Sequence, residues 1–368
     1  MKSSGKSKKF KLRITDRSKK ILTIVLAVAV VILIVMTAAQ KLGNMTVSTF
    51  TADVKTYFMS LGSGDGYPYE ISAGKVKNIT VNNSNLNLLL DDKTISLTSS
   101  AKEIMPKSHT YSNPVMKSKS SKMIVFDLDS GKFRVQRGSD TVIEKSLDKN
   151  IMAAAIGSKG NYAVATYGKD AQSVLTVYNK NGKEKFAWNF SDERITDIDL
   201  SPNGKYAAVA AIKALNGEIS SKLYVFNLSK ADEYTACFDY GGTTLLKVNY
   251  IKGNNIVAVG DNLKSYIKNN TNRQDDLKFN SDKLHNYCAS QDGSSVLALS
   301  KYGSSSLSTL SFYNSSNKER FTVDFDKEIR SVIRTENTSL FFLTARSKRL
   351  TSEASRSERF ISRASLKE

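Results

Sequence analysis

Histidine, cysteine and tryptophan are almost missing from this chain: His109, His285, Cys237, Cys288 and Trp188 are all it has. Four soft ligands so far apart form no zinc-type spacing, and two cysteines in apolar, strand-like contexts read as unpaired thiols, not as a disulfide framework. The motifs of several reaction classes are absent too. No Gly-x-Ser-x-Gly elbow marks a hydrolase nucleophile. The glycine cluster GSGDG at 62–66 is not flanked by the strand and Lys-Ser helix of a phosphate loop. DLDSG at 127–131 lacks the carboxylates and the later Glu of a calcium loop, so it reads as a β-turn. No catalytic residue, cofactor site or metal site is therefore expected, and the chain is not expected to be an enzyme.

Acidic residues are also in short supply, 35 against 54 Lys and Arg, for a net charge of +19. The excess is unevenly placed. Residues 1–20 hold nine Lys or Arg against Asp16, a net +8, and residues 345–368 hold +4, which leaves +7 for the 324 residues between. No helix-turn-helix, zinc finger or RNA-binding motif accompanies the charge, so nucleic acid is not an expected partner.

The basic start leads into a single long apolar run. Residues 21–39, ILTIVLAVAVVILIVMTAA, are nineteen positions without a charge. At about 1.5 Å per residue they span roughly 28 Å, close to the hydrocarbon thickness of a bilayer. A buried core helix would keep a polar face, and a cleaved signal peptide would have a shorter apolar stretch. The expectation is a single-pass membrane anchor with residues 1–20 as a basic cytoplasmic segment and the bulk of the chain extracytoplasmic. Residues 40–68 form the next unit: Val47, Phe50, Val54, Tyr57 and Leu61 recur at helical spacing, which predicts a juxtamembrane helix over about 45–61. Its stripe is expected to pack on the folded domain, ahead of a turn-rich linker at 62–68.

The stretch ITDIDLSPNGKYAAVAAI at 195–212 reads as a β-hairpin, two apolar strands around a Pro-Asn-Gly turn. It has six relatives, and the second strands of all seven begin near Leu88, Met123, Tyr162, Tyr206, Ile256, Val296 and Leu340. Their spacings of 35, 39, 44, 50, 40 and 44 average 42 residues. A period of about 40–45 residues with two further strands after most hairpins is what a propeller blade requires. A β-sandwich has no reason to repeat one turn this way. The fold class expected is all-β, a β-propeller of about seven four-stranded blades over residues 69–344, preceded by one transmembrane helix. Alanines at 153–155, 163, 165, 207, 208, 210 and 211 fall where inner strands crowd the axis.

DLSPNGKYAAVA resembles the strand-turn-strand core of WD40-like repeats, and SKLYVFNLSK matches the place where their third strand runs into a turn. The resemblance covers 76–344, without the Gly-His and Trp-Asp dipeptides of true WD40 repeats. With the basic start and the apolar run, the whole resembles an uncharacterised family of single-pass membrane-anchored WD40-like β-propellers of Gram-positive bacteria. That resemblance implies location and fold only. A propeller of the quinone-cofactor kind would need repeated tryptophans, and Trp188 stands alone.

The seventh unit departs from the pattern. From Ala345 to Glu368 five arginines appear, against nine in the preceding 344 residues, and aromatics nearly vanish. This basic Ser/Arg-rich tail is expected to be disordered and to leave the last blade incomplete, with YPYEIS at 67–72 as a candidate outer strand. At the axis, Asp197 and Asp199 alternate with apolar neighbours on an inner strand, bonding backbone groups, and His285 opens another as a structural hydrogen-bonding residue. His109 lies in a Ser/Lys-rich connection and is expected to be solvent-exposed. The function expected is a binding or scaffold platform for a protein, peptide or cell-envelope ligand. The alternative is a propeller-type hydrolase or lactonase with its site at the axial channel. An enzyme requires acids or histidines gathered at the axis, whereas a platform presents aromatic and polar residues on one rim.

Overall fold

The computed structural model describes residue 23, residues 55–67, 85–215 and 217–274 continuously, and most of 69–82 and 276–351. Residues 52–368 form one compact unit, which carries the fold.

That unit is a β-propeller. Each sheet is an antiparallel meander whose first strand is innermost, because the first strands of successive sheets pack on one another. Six blades have four strand positions: 76–108, 114–146, 151–190, 194–241, 245–278 and 283–325. In blade 5 the outer position is split between Asn272–Arg273 and Leu277–Lys278, both paired to Leu263–Lys268. The last sheet, 329–351, has three strands.

The expected seven four-stranded blades are therefore corrected to six, with a three-stranded sheet beside them. The third strand of that sheet, Ser347–Thr351, comes from inside the basic tail, which was expected to supply none. Alternation survives there as SKRLT, and the chain beyond residue 351 lies outside the described residues. Of the segment at 67–72, residues 67, 69 and 71 are described and none of them is in a strand. The ring is closed instead on the inside, where Ile329–Arg334 packs against Val76–Asn82.

A blade sheet is apolar on both faces because both are covered. Val164 and Tyr162 pack toward blade 2 while Ala163 and Ala165 pack toward blade 4, so adjacent residues of one strand serve different cores. Similar clusters fill the junctions from blade 4 onward to the last sheet. The alanines of the inner strands, 153–155, 163, 165, 207, 208, 210 and 211, are all buried. Leu175, Val177, Ile198 and Phe226 supply the volume around them at the junction of blades 3 and 4, and removing the Phe226 ring would cost about 3–5 kcal/mol.

Gly131 precedes the third strand of blade 2. A Cβ there would lie 2.0 Å from the Leu147 carbonyl oxygen, a contact with backbone that no rotamer relieves. Gly131→Ala is expected to destabilise by about 1–3 kcal/mol, read as a fall in the denaturant midpoint at unchanged slope.

The expected membrane helix over 21–39 and the basic segment 1–20 lie outside the described residues apart from Thr23. No helix among the described residues is long and apolar enough to cross a membrane. Of the helix expected over 45–61, residues 55–60 are described and helical. Of its expected stripe only Tyr57 and Leu61 are described, and both are exposed. Polar contacts hold the helix instead, with Lys55 paired to Asp140 at 3.0 Å and Lys102 donating to the Leu61 carbonyl.

Candidate functional site

At the axis, Asp197 and Asp199 project from the inner strand of blade 4, Arg194–Leu200, after a register shift that follows Ile195. Their partners come from across the ring. Lys117 and Lys119, on the inner strand Pro114–Lys119 of blade 2, reach past blade 3 to pair with Asp197 and Asp199 respectively. The inner strand of blade 3 offers only Ala153, Ala154 and Ala155 at this level, so methyl groups leave the lysine stems room to pass. Lys119 Nζ lies 2.9 and 2.7 Å from the two Asp199 oxygens. Lys117 and Lys119 also donate to the carbonyls of Ile198 and Leu200, at 2.8 and 3.1 Å.

Each carboxylate has a second donor from the next blade. Asp197 Oδ2 accepts from the Val248 amide at 2.9 Å, and Asp199 Oδ2 from the Tyr250 amide at 2.7 Å. Asn286 repeats the device by accepting from the Val332 amide at 3.3 Å. Burial alone would lift the Asp197 pKa; Lys117, Lys247 and the Val248 amide overturn that and hold it below the usual carboxylate range. Burial pulls Lys117 down against the attraction of Asp197. The pair is an ion pair with few open valences, and it braces the ring from blade 2 to blade 4 to blade 5.

His285 stands apart from these acids. Its Nε2 is 2.7 Å from Ser300 Oγ within its own blade, and no group of three His, Cys, Asp or Glu among the described residues is arranged to hold a metal. Cys237 and Cys288 form no disulfide and are both half-buried. Burial pushes the Cys237 thiol up, away from the thiolate a nucleophile needs.

A second arrangement lies off the axis, where blades 1 and 2 meet. A cavity of about 530 Å³ is lined by residues 108–111 from the connection between the blades and by Lys132, Arg134, Glu144, Lys145 and Ser146 from the outer half of blade 2. Arg134 is 2% exposed, and it is fixed by donating to the Ser108 carbonyl at 2.6 Å, Thr94 Oγ1 at 2.9 Å and the Lys107 carbonyl at 3.1 Å. Its guanidinium stands 6.0 Å from the centre of the Tyr111 ring, and Tyr111 stacks on His109 at 5.0 Å. His109 is thus not the solvent-exposed residue expected from its Ser/Lys-rich surroundings. It is half-buried, and burial, followed by the Arg134 charge, lowers its pKa.

Sequence reasoning brought Asp197 and Asp199 to the axis but missed both lysines and all of the groove except His109. One sign of the groove was available. KFRVQR places Arg134 and Gln136 on the strand face opposite Phe133 and Val135, and in a sheet buried on both sides a charged residue at either face is anomalous.

A third feature is aromatic. On the outer edge where blades 3 and 4 meet, Trp188 lies 5.0 Å from Phe226 and 6.4 Å from Tyr234, which is 47% exposed.

A profile described as a family of unknown function, DUF5711, matches residues 67–359. No curated protein matches the chain. Among solved structures, the crystal structure of Saccharomyces cerevisiae Sqt1 is similar, with a TM-score of 0.56 at 11% identity, covering 82% of this chain and 88% of that one. At such identity the likeness concerns the fold alone, and a fold shared so widely singles out no activity.

Proposed function

The chain belongs to the family of unknown function DUF5711, and from that premise and the geometry of its groove and axis we propose that it is a binding platform for a protein, peptide or cell-envelope ligand. The groove between blades 1 and 2 is its recognition site. The observation that carries this reading is the fixed Arg134–Tyr111–His109 wall of that groove, held by neutral acceptors and open to solvent on a rigid rim. Rigid blades hold such a surface at little conformational cost to binding.

The platform is further proposed to be anchored by residues 21–39 with its bulk outside the cell, since nine basic residues precede a charge-free run long enough to span a bilayer. What supports binding over hydrolysis is the pairing of both axial carboxylates, which leaves neither as a free base.

Two measurements test the proposal. Protease added to intact cells should digest residues 52–368 once folding is loosened; full protection would contradict the orientation. Crosslinked, intact protein recovered from its native membrane should carry a partner that Lys132→Glu removes. A partner retained equally by that variant would contradict the groove as the site.

A further inference from the structure

We propose that the groove between blades 1 and 2 accepts a carboxylate side chain of an acidic peptide segment laid along the outer edge of blade 2. The inference rests on the binding-platform reading and names the chemistry of its ligand.

Charge comes first. The groove face of blade 2 carries Lys132 and Arg134 against Glu144, a surplus of one positive charge, while Lys145 lies on the opposite face with its ammonium over the Tyr178 ring. Arg134 is the informative one. It is almost wholly buried, yet every acceptor given to it is neutral: two backbone carbonyls and the Thr94 hydroxyl. Its Nε–H is buried without a partner, and among the described residues it forms no ion pair. Glu144, its cross-strand neighbour, attracts it without closing to an ion pair, so the buried guanidinium keeps an unfilled donor, an arrangement that costs free energy unless something else supplies an acceptor. An anion arriving in the groove supplies it.

Geometry favours a peptide over a small anion or a polyanion. Strand Asp140–Ser146, which brings Glu144 and Ser146 to the groove, is the outermost strand of its sheet. Its free backbone edge is a template for an extended chain, with side chains at alternate positions falling to either side. The stacked His109 and Tyr111 rings give the same segment a flat wall to lie against. Glu144, which lines the same groove, would repel a chain of closely spaced phosphates more strongly than a single carboxylate.

The chain carries its own reporter, because its two histidines divide between groove and control. Full-length protein labelled at histidine Cε1 gives one resonance from His109 in the groove and one from His285, hydrogen-bonded to Ser300 in blade 6. It is titrated with an end-blocked Ser-Glu alternating octapeptide, with the same peptide carrying Gln for Glu, and with inorganic phosphate. The expected result is a saturable shift of His109 alone with the Glu peptide. Lys132→Ala should weaken that binding by about fivefold while leaving the His285 resonance in place. The pKa of His109, which Arg134 lowers and Asp92 and Asp127 raise, should rise when the carboxylate binds. An equal response to phosphate or to the Gln peptide would overturn the proposal, as would no movement of His109. If His109 stays still while the groove variant still loses its partner from crosslinked membranes, the ligand chemistry fails and the platform reading stands. If neither responds, both fail.

Discussion

Asp197→Ala should cost about 3–5 kcal/mol of folding stability, more than a surface ion pair can account for. The carboxylate is 3% exposed at its side chain and Lys117 only 24%, so removing the acid strands a partly buried ammonium and also orphans the Val248 amide. Both penalties act together, and Lys247, whose ammonium sits 3.8 Å from the same carboxylate, adds repulsion to Lys117 once the acid is gone. Lys117→Met alone should cost less, since Asp197 keeps Lys247 and the amide. The double substitution Lys117→Met with Asp197→Leu should recover most of the loss, because a buried pair replaced by apolar groups of similar size is often near neutral. Denaturant unfolding of the four proteins gives the coupling energy. A single-site cost under about 1 kcal/mol would mean the brace is solvated and contributes little.

Raising the pH from about 7 to about 9.5 should stabilise the protein by roughly 2 kcal/mol through Lys264 alone. This lysine is fully buried at the junction of blades 5 and 6, donates to Ser295 Oγ at 2.7 Å, and stands 5.8 Å from the centre of the Tyr313 ring. Burial pulls its pKa from 10.5 to about 8. Between those values the unfolded chain holds the proton and the folded chain does not, so stability rises with pH through the window. Below the folded value the burial penalty is present in full. Above about 10 the sign reverses. Burial, joined by the charge of Asp199, raises Tyr250, and burial, joined by Asp197, raises Tyr287, so the unfolded tyrosines ionise first and stability falls. Lys264→Met with Ser295→Ala should flatten the rise and stabilise the protein at neutral pH by about 1–3 kcal/mol. Calorimetric or denaturant unfolding across this range checks both statements; an unchanged slope in the variant would remove Lys264 as its cause.

The propeller was legible because hairpin recurrence is a property of the chain itself. Hydrophobic runs at intervals near 42 residues need stacked sheets to cover them, whatever the details of each blade. The last sheet was less legible, since strand Ser347–Thr351 lies in a segment whose composition reads as a tail and whose alternation is only five residues long. The side-chain chemistry was harder still. Lys117 and Lys119 sit in KSKSSK, which reads as a solvated turn; only the ring places them opposite Asp197 and Asp199, 80 positions away. The helix at 55–60 shows the opposite failure. Spacing cannot say whether a neighbour is there to cover a stripe, and Tyr57 and Leu61, the described members of the expected one, are exposed. Arg134 was hidden by the sheet's two covered faces, where inward and outward lose their meaning for a single strand.

The groove and the axis make opposite demands on one measurement. A photo-reactive residue placed at Thr110, on the exposed lip of the groove, is compared in living cells with one at Lys247, exposed at the mouth of the axis. A platform that binds at the junction of blades 1 and 2 gives a discrete adduct from position 110 and none from 247. An adduct from 247 alone would contradict the account and return the site to the axial channel.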